Sequence, residues 1–126
     1  MTRTWIPIDD LAIPPAGGAY TRAARAGNLV FLSGQVPRDL ATGELVGSTV
    51  TDQTKKIFDN IATLLKGAGA TLESIVSVTA YLADINSWGE FDAAYRECLS
   101  APFPTRTTVG AGLHGFLVEI SVIAAI

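Results

Sequence analysis

The stretch "PFPTRTTVGAGLHGFLVEISVIAAI", Pro102 to Ile126, reads as strand, turn, strand and carries only two full charges, Arg106 and Glu119. Each stands in a run of β-branched and apolar residues suited to burial. A lone charge in such a place is costly unless it is paired or used. Alternation puts Glu119 and Ser121 on one face of the last strand, with Val118, Ile120, Val122 and Ala124 on the other. Arg106 and Thr108 share a face of the preceding strand. If the two strands pair across "GAGLHG", Arg106 and Glu119 lie in one neighbourhood. One reading is then a structural ion pair at a sheet edge or subunit interface. The other is an arginine that grips a substrate carboxylate and a glutamate that moves a proton.

Other reactive types are weaker candidates. His114, the only histidine, sits in a Gly-rich turn, and Cys98, the only cysteine, falls on the apolar stripe of a helix as a small core residue. One His and one Cys do not make a zinc site, and no serine has a His and an acid patterned beside it. "AGGAY" and "GAGLHG" match neither a phosphate loop nor a dinucleotide fingerprint. No metal or cofactor is expected.

The elements that must carry the two charges follow from periodicity. Ala19 to Ala24 and Leu29 to Ser33 are short strands around "RAGN", Arg25 to Asn28, where Gly27-Asn28 suits positive φ. A loop with a turn at Thr42-Gly43 follows. From Thr51 to Lys66, Ile57, Phe58, Ile61, Leu64 and Leu65 mark one helical face, with Asp52 near its start and Gly67 and Gly69 at its end. Ile75 to Leu82 is a strand with Val76, Val78, Ala80 and Leu82 on one face. Trp88 to Leu99 is a second helix, with Ser87 and Glu90 at capping-box spacing and Trp88, Phe91, Tyr95 and Cys98 along its stripe.

The order ββαβαββ predicts an α+β sandwich: one mixed sheet with both helices on one face. The chain is 126 residues, one domain spanning 1–126, 48% hydrophobic and only 17% charged. The uncovered sheet face and the thin surface charge predict a cover made by further copies of the chain. A net charge of −3 with nine scattered Lys and Arg residues argues against nucleic acid. No signal peptide or membrane span is read, and the single cysteine suits a reducing compartment, so a cytoplasmic protein is expected.

Four segments, in order and nearly end to end, carry a resemblance: "PPAGGAYTRAAR", "NLVFLSGQVPRDLATGELVG", "DQTKKIFDNIATLLKGAGATLESIVSVTAYLADINSWGEFDAAYRECL" and the closing "PFPTRTTVGAGLHGFLVEISVIA". The sequence resembles the RidA (YjgF-type) family of enamine and imine deaminases. The resemblance implies a chorismate mutase-like fold, a homotrimer with clefts between subunits, and hydrolysis of 2-aminoacrylate-type enamines and imines to 2-keto acids and ammonia. It implies that Arg106 pairs with the substrate carboxylate and that Glu119 lies near the reactive carbon and water. It implies further that Tyr20 lines the cleft and that Ser33 and Gly34 border the ligand. Thr108 stands where many members carry cysteine, and it shapes the pocket. Arg22 and His114 also depart from the family pattern and bear on specificity. The alternatives are a specialised catabolic deaminase of a pathway intermediate and a non-catalytic ligand-binding trimer.

Overall fold

The computed structural model describes residues 3–8 and 14–126. A six-stranded sheet is built from β1 (Ile6–Pro7), β2 (Ala23–Ala26), β3 (Leu29–Gln35), β4 (Ile75–Leu82), β5 (Thr105–Gly110) and β6 (Val118–Ala125). Their spatial order is β1-β2-β3-β6-β4-β5, antiparallel throughout except for the parallel pair β4–β5. Two helices, α1 (Val50–Gly67) and α2 (Trp88–Cys98), pack on one face. The expected α+β sandwich is therefore the observed one, with the two-residue strand β1 added at an edge.

Periodicity accounts for α1. Ile57, Phe58, Ile61, Leu64 and Leu65 are all buried against the sheet, where Val30, Ala80, Leu82, Val118, Ile120 and Val122 meet them. The cap is Thr49, whose hydroxyl accepts from the Asp52 amide at 3.0 Å. Two buried polar side chains of α1 hydrogen-bond to the main chain of the neighbouring segments. Gln53 accepts from the Leu117 amide at 2.7 Å and donates to Gly47 O at 3.1 Å. Asn60 donates to Arg38 O at 2.8 Å. These bonds tie the loop before α1, and the approach to β6, to the helix.

Several sequence expectations change at the ends of elements. The first hairpin turns on Gly27 and Asn28 alone, with Gly27 at φ 58°, so β2 runs to Ala26 and residues 19–22 lie outside the strand. Ser87 makes no capping bond to α2. Its hydroxyl donates to Asp84 O at 2.6 Å, within a short 3₁₀ turn that Asp84 caps. Val76 does not share the buried face of β4, because an extra residue between Ile75 and Ser77 breaks the register with β6 and turns it outward.

The largest difference concerns the closing strands, which do not form a hairpin. After β4, α2 carries the chain back so that β5 lies parallel to β4 at the sheet edge, as a helical crossover permits. The segment "AGLHGFL" then wraps the end of β4. The Ala111 amide donates to Leu82 O at 2.9 Å, and the Ala83 amide donates to Leu117 O at 3.0 Å. β6 enters on the other side of β4, between it and β3. β5 and β6 are thus separated by a whole strand.

Candidate functional site

Register decides where each charge points. Arg106 is opposite Val78, a buried residue, so its side chain rises on the helix side of the sheet. Glu119 is opposite Tyr81, on the alternate face. One chain therefore holds Arg106 and Glu119 on opposite faces of its sheet. The expectation that they share a neighbourhood within the chain fails because β4 stands between their strands.

Arg106 lies at the junction of β5 and α2. Its guanidinium carbon is 4.6 Å from the Tyr95 ring centre, 5.3 Å from Trp88 and 5.4 Å from Phe91. The helical spacing of these three residues, expected as a core stripe, makes a shelf for a cation, and Trp88 remains largely exposed. Asp92, on the same helix, brings Oδ1 to 2.9 Å from Arg106 Nη1. Its Oδ2 accepts from Arg96 Nε at 3.0 Å. Burial pushes the Asp92 carboxyl up, but the Arg106 and Arg96 guanidiniums outweigh it and hold the group below its ordinary value. Asp92, Tyr95, Arg96, Phe103, Pro104 and Arg106 line a surface cavity of about 290 Å³.

Tyr95 is buried, and its hydroxyl has no hydrogen-bond partner among the described residues. Burial raises its pKa against the opposing effect of Arg106, which keeps it a neutral phenol. Thr108 faces the helix side two residues beyond Arg106, opposite Ala80, and its hydroxyl is likewise buried without a partner among the described residues. It is not among the residues lining the Arg106 cavity.

The remaining expected residues gather on the other face. Glu119 lies against Gly34, where a Cβ built on the glycine would fall 3.0 Å from Glu119 Cδ and closer still to Oε2. Only a residue without a side chain admits the carboxylate there. Burial pushes the Glu119 carboxyl above its ordinary value, and among the described residues it has no ion-pair partner. Ser33 donates to Thr21 O at 2.6 Å, which anchors the segment carrying Tyr20 to β3. Tyr20 is exposed and, with Trp5, Ala24, Ala26 and Phe31, lines an apolar hollow of about 530 Å³. Tyr20, Ser33, Gly34 and Glu119 thus belong to one side of the sheet, and Arg106 and Thr108 to the other.

Asp92 and Arg96 did not emerge from the sequence as site residues. Their i,i+4 spacing around Tyr95 was a visible signal, but it reads as an ordinary surface pair until α2 is docked on β5. His114 is exposed in its turn, Arg22 donates to Pro14 O at 3.2 Å, and Cys98 is half-buried with its thiol pushed up to about 11 by burial. A thiol held so high is a poor nucleophile at neutral pH.

A helix-backed mixed sheet with a caged arginine at its edge defines a class that comparison makes specific. The family model described as endoribonuclease L-PSP matches residues 11–126. The chain belongs to that family, which includes the Rid and YjgF proteins. A RutC family protein of Pyrococcus horikoshii is 36% identical over 113 residues, covering 88% of this chain and 90% of the relative. RidA from an Antarctic Psychrobacter superposes with a TM-score of 0.86 at 31% identity, covering 99% of this chain and 100% of that one. TdcF of E. coli, solved with bound serine, superposes with a TM-score of 0.85 at 28% identity, covering 95% of this chain and 98% of that one. No helix among the described residues is long and apolar enough to cross a membrane.

Proposed function

We propose that this chain hydrolyses reactive 2-enamine and 2-imine acids, of the 2-aminoacrylate type, to 2-keto acids and ammonia. The reaction takes place in clefts between the subunits of a cytoplasmic homotrimer. The observation that carries the reading is the division of the site. Arg106 opens to a cavity at the sheet edge, while Glu119 stands with Gly34, Ser33 and Tyr20 on the face that carries no helix. Each chain offers two half-sites, and a second copy completes a cleft by bringing the Glu119 side of one subunit to the Arg106 edge of another. Leu29, Phe31 and Val109, each 39% exposed on that open face, favour such a cover. The serine bound in the TdcF structure supports a small amino-acid-like ligand.

The parts match the chemistry. The guanidinium takes the substrate carboxylate and fixes its orientation. A carboxyl raised by burial holds a proton closer to neutral pH than an exposed glutamate does. Glu119 delivers that proton to the β-carbon of the enamine, giving the imine. Water adds to the imine carbon, the C–N bond breaks, and nitrogen leaves as ammonia after proton transfer. The substrate is already activated, so the scheme calls for no metal or organic cofactor.

The test is release of ammonia and keto acid from freshly generated imino acids, with light scattering on the same samples. The expected result is acceleration over buffer by a species of trimer mass. An active monomer would remove the divided-site argument, and a trimer with no acceleration would leave only ligand binding.

A further inference from the structure

The Arg106 cavity contains a second arginine and a carboxylate between the two. Asp92 gives one oxygen to each guanidinium, at 2.9 Å to Arg106 Nη1 and 3.0 Å to Arg96 Nε. The Asp92 and Arg106 side chains are 18% and 16% exposed, while Arg96 is 66% exposed and lies over the Phe103 ring at 5.9 Å. Two cations and one anion leave a single positive charge in the pocket. A ligand with one carboxylate brings this cluster to neutrality. A ligand with two leaves a negative charge uncompensated beside Asp92. The other walls, Tyr95, Phe103 and Pro104, offer apolar and aromatic surface to the rest of the ligand.

We propose that Asp92 is a specificity-determining residue which makes this pocket select monocarboxylates with an apolar side chain over dicarboxylates. The proposal rests on the reading of Arg106 as the carboxylate anchor. Asp92 remains ionised at neutral pH because its two arginine neighbours outweigh its burial. An uncompensated charge pair at the partly shielded edge of a protein is worth enough to set a preference of about tenfold.

The experiment is calorimetric binding of two 2-oxo acids of similar length, 4-methyl-2-oxopentanoate and 2-oxoglutarate, to the assembled protein. Neither needs turnover. The native protein is expected to bind the monocarboxylate about tenfold more tightly. Asp92→Asn, which keeps the shape and removes the charge, should narrow that ratio by strengthening 2-oxoglutarate. Arg96→Gln should weaken both ligands and widen the ratio, since the dicarboxylate loses more. Equal binding of both acids by the native protein overturns the proposal. So does an unchanged ratio in both variants, as when Asp92→Asn only lowers thermal stability and weakens both ligands in parallel. Ammonia release is scored separately. Discrimination between the acids without deamination supports this proposal and sinks the catalytic reading, and deamination without discrimination does the reverse.

Discussion

At the sheet edge, Arg106 is surrounded by three aromatic rings and one carboxylate. Across the sheet, Glu119 has no counter-charge among the described residues and rests against the backbone of a glycine. Both are single charges on apolar strands, and the sequence presents them alike. The structure treats them differently. The first is held in place by three rings and an ion pair with Asp92. The second is pushed toward neutrality by burial. Arg106 has its counter-charge in Asp92 and Glu119 has none among the described residues, so the two are not one ion pair within the chain.

The largest expected effect comes from removing the Arg106 side chain. Arg106→Ala should lower kcat/KM for carboxylated imines by about a thousandfold or more, roughly 4 kcal/mol of barrier. Arg106→Lys should recover only part of it, since an ammonium lacks the planar fork. Glu119→Gln should lower kcat with little effect on KM, because the amide keeps the shape but carries no proton. Steady-state kinetics on both variants checks the contrast, and matched losses in kcat and KM for the two would erase it.

Gly34→Ala tests the glutamate's seat from the backbone side. The added methyl collides with the carboxylate and must move it. We expect a loss of kcat of about ten- to a hundredfold with the arginine pocket unaffected, read as unchanged keto-acid binding. Normal turnover in this variant would show that Glu119 works from elsewhere.

The pH dependence of stability should differ in sign between the two regions. Glu119 has a folded pKa raised above 4.5, so its stabilising contribution is full below the unfolded value and is lost as pH rises through the folded one. Glu119→Gln should therefore melt higher than the native protein at neutral pH, with the difference vanishing in acid. Asp92 has a folded pKa below 3.8, so its contribution is present above the unfolded value and is lost as pH falls through the folded one. Asp92→Asn should melt lower at neutral pH and match the native protein in strong acid. Thermal melts across pH distinguish the two patterns, and parallel shifts would show that the two carboxylates share one environment.

The smallest effect belongs to Thr108→Cys. Its side chain lies on the helix side beyond Arg106 and away from the Arg106 cavity, so activity should stay within about tenfold, 1.4 kcal/mol. A change of several orders of magnitude in kinetic assays would give this position a part in the reaction.

The elements that carry the two charges are legible in the sequence, although the contrast between them is not. Spacing marked Ile57, Ile61 and Leu64 as the buried face of α1, and alternation set Glu119 opposite in sense to Val118 and Ile120. Strand pairing was not legible, because the alternation of β5 says which residues share a face but not which strand lies beside it. The hairpin expectation failed on that point, and the supposed proximity of Arg106 and Glu119 failed with it. Asp92 was hidden for the same reason, since a carboxylate on a helix becomes part of a pocket only once the helix meets its strand. The family resemblance alone implies that Gly34 borders the ligand, and its tight fit to Glu119 depends on the pairing of β3 with β6.

The position of β6 also bears on how the protein is made. β3 and β4 leave the ribosome before it, yet neither pairs with the other, and each waits for β6 to fill the gap between them. Until then the nascent chain carries two separate ribbons, β1-β2-β3 and β4-β5, each with an open apolar edge suited to wrong partners. A stop codon between Gly110 and Val118 would yield not a shortened sheet but two unjoined halves, since every strand except the one that joins them would be present.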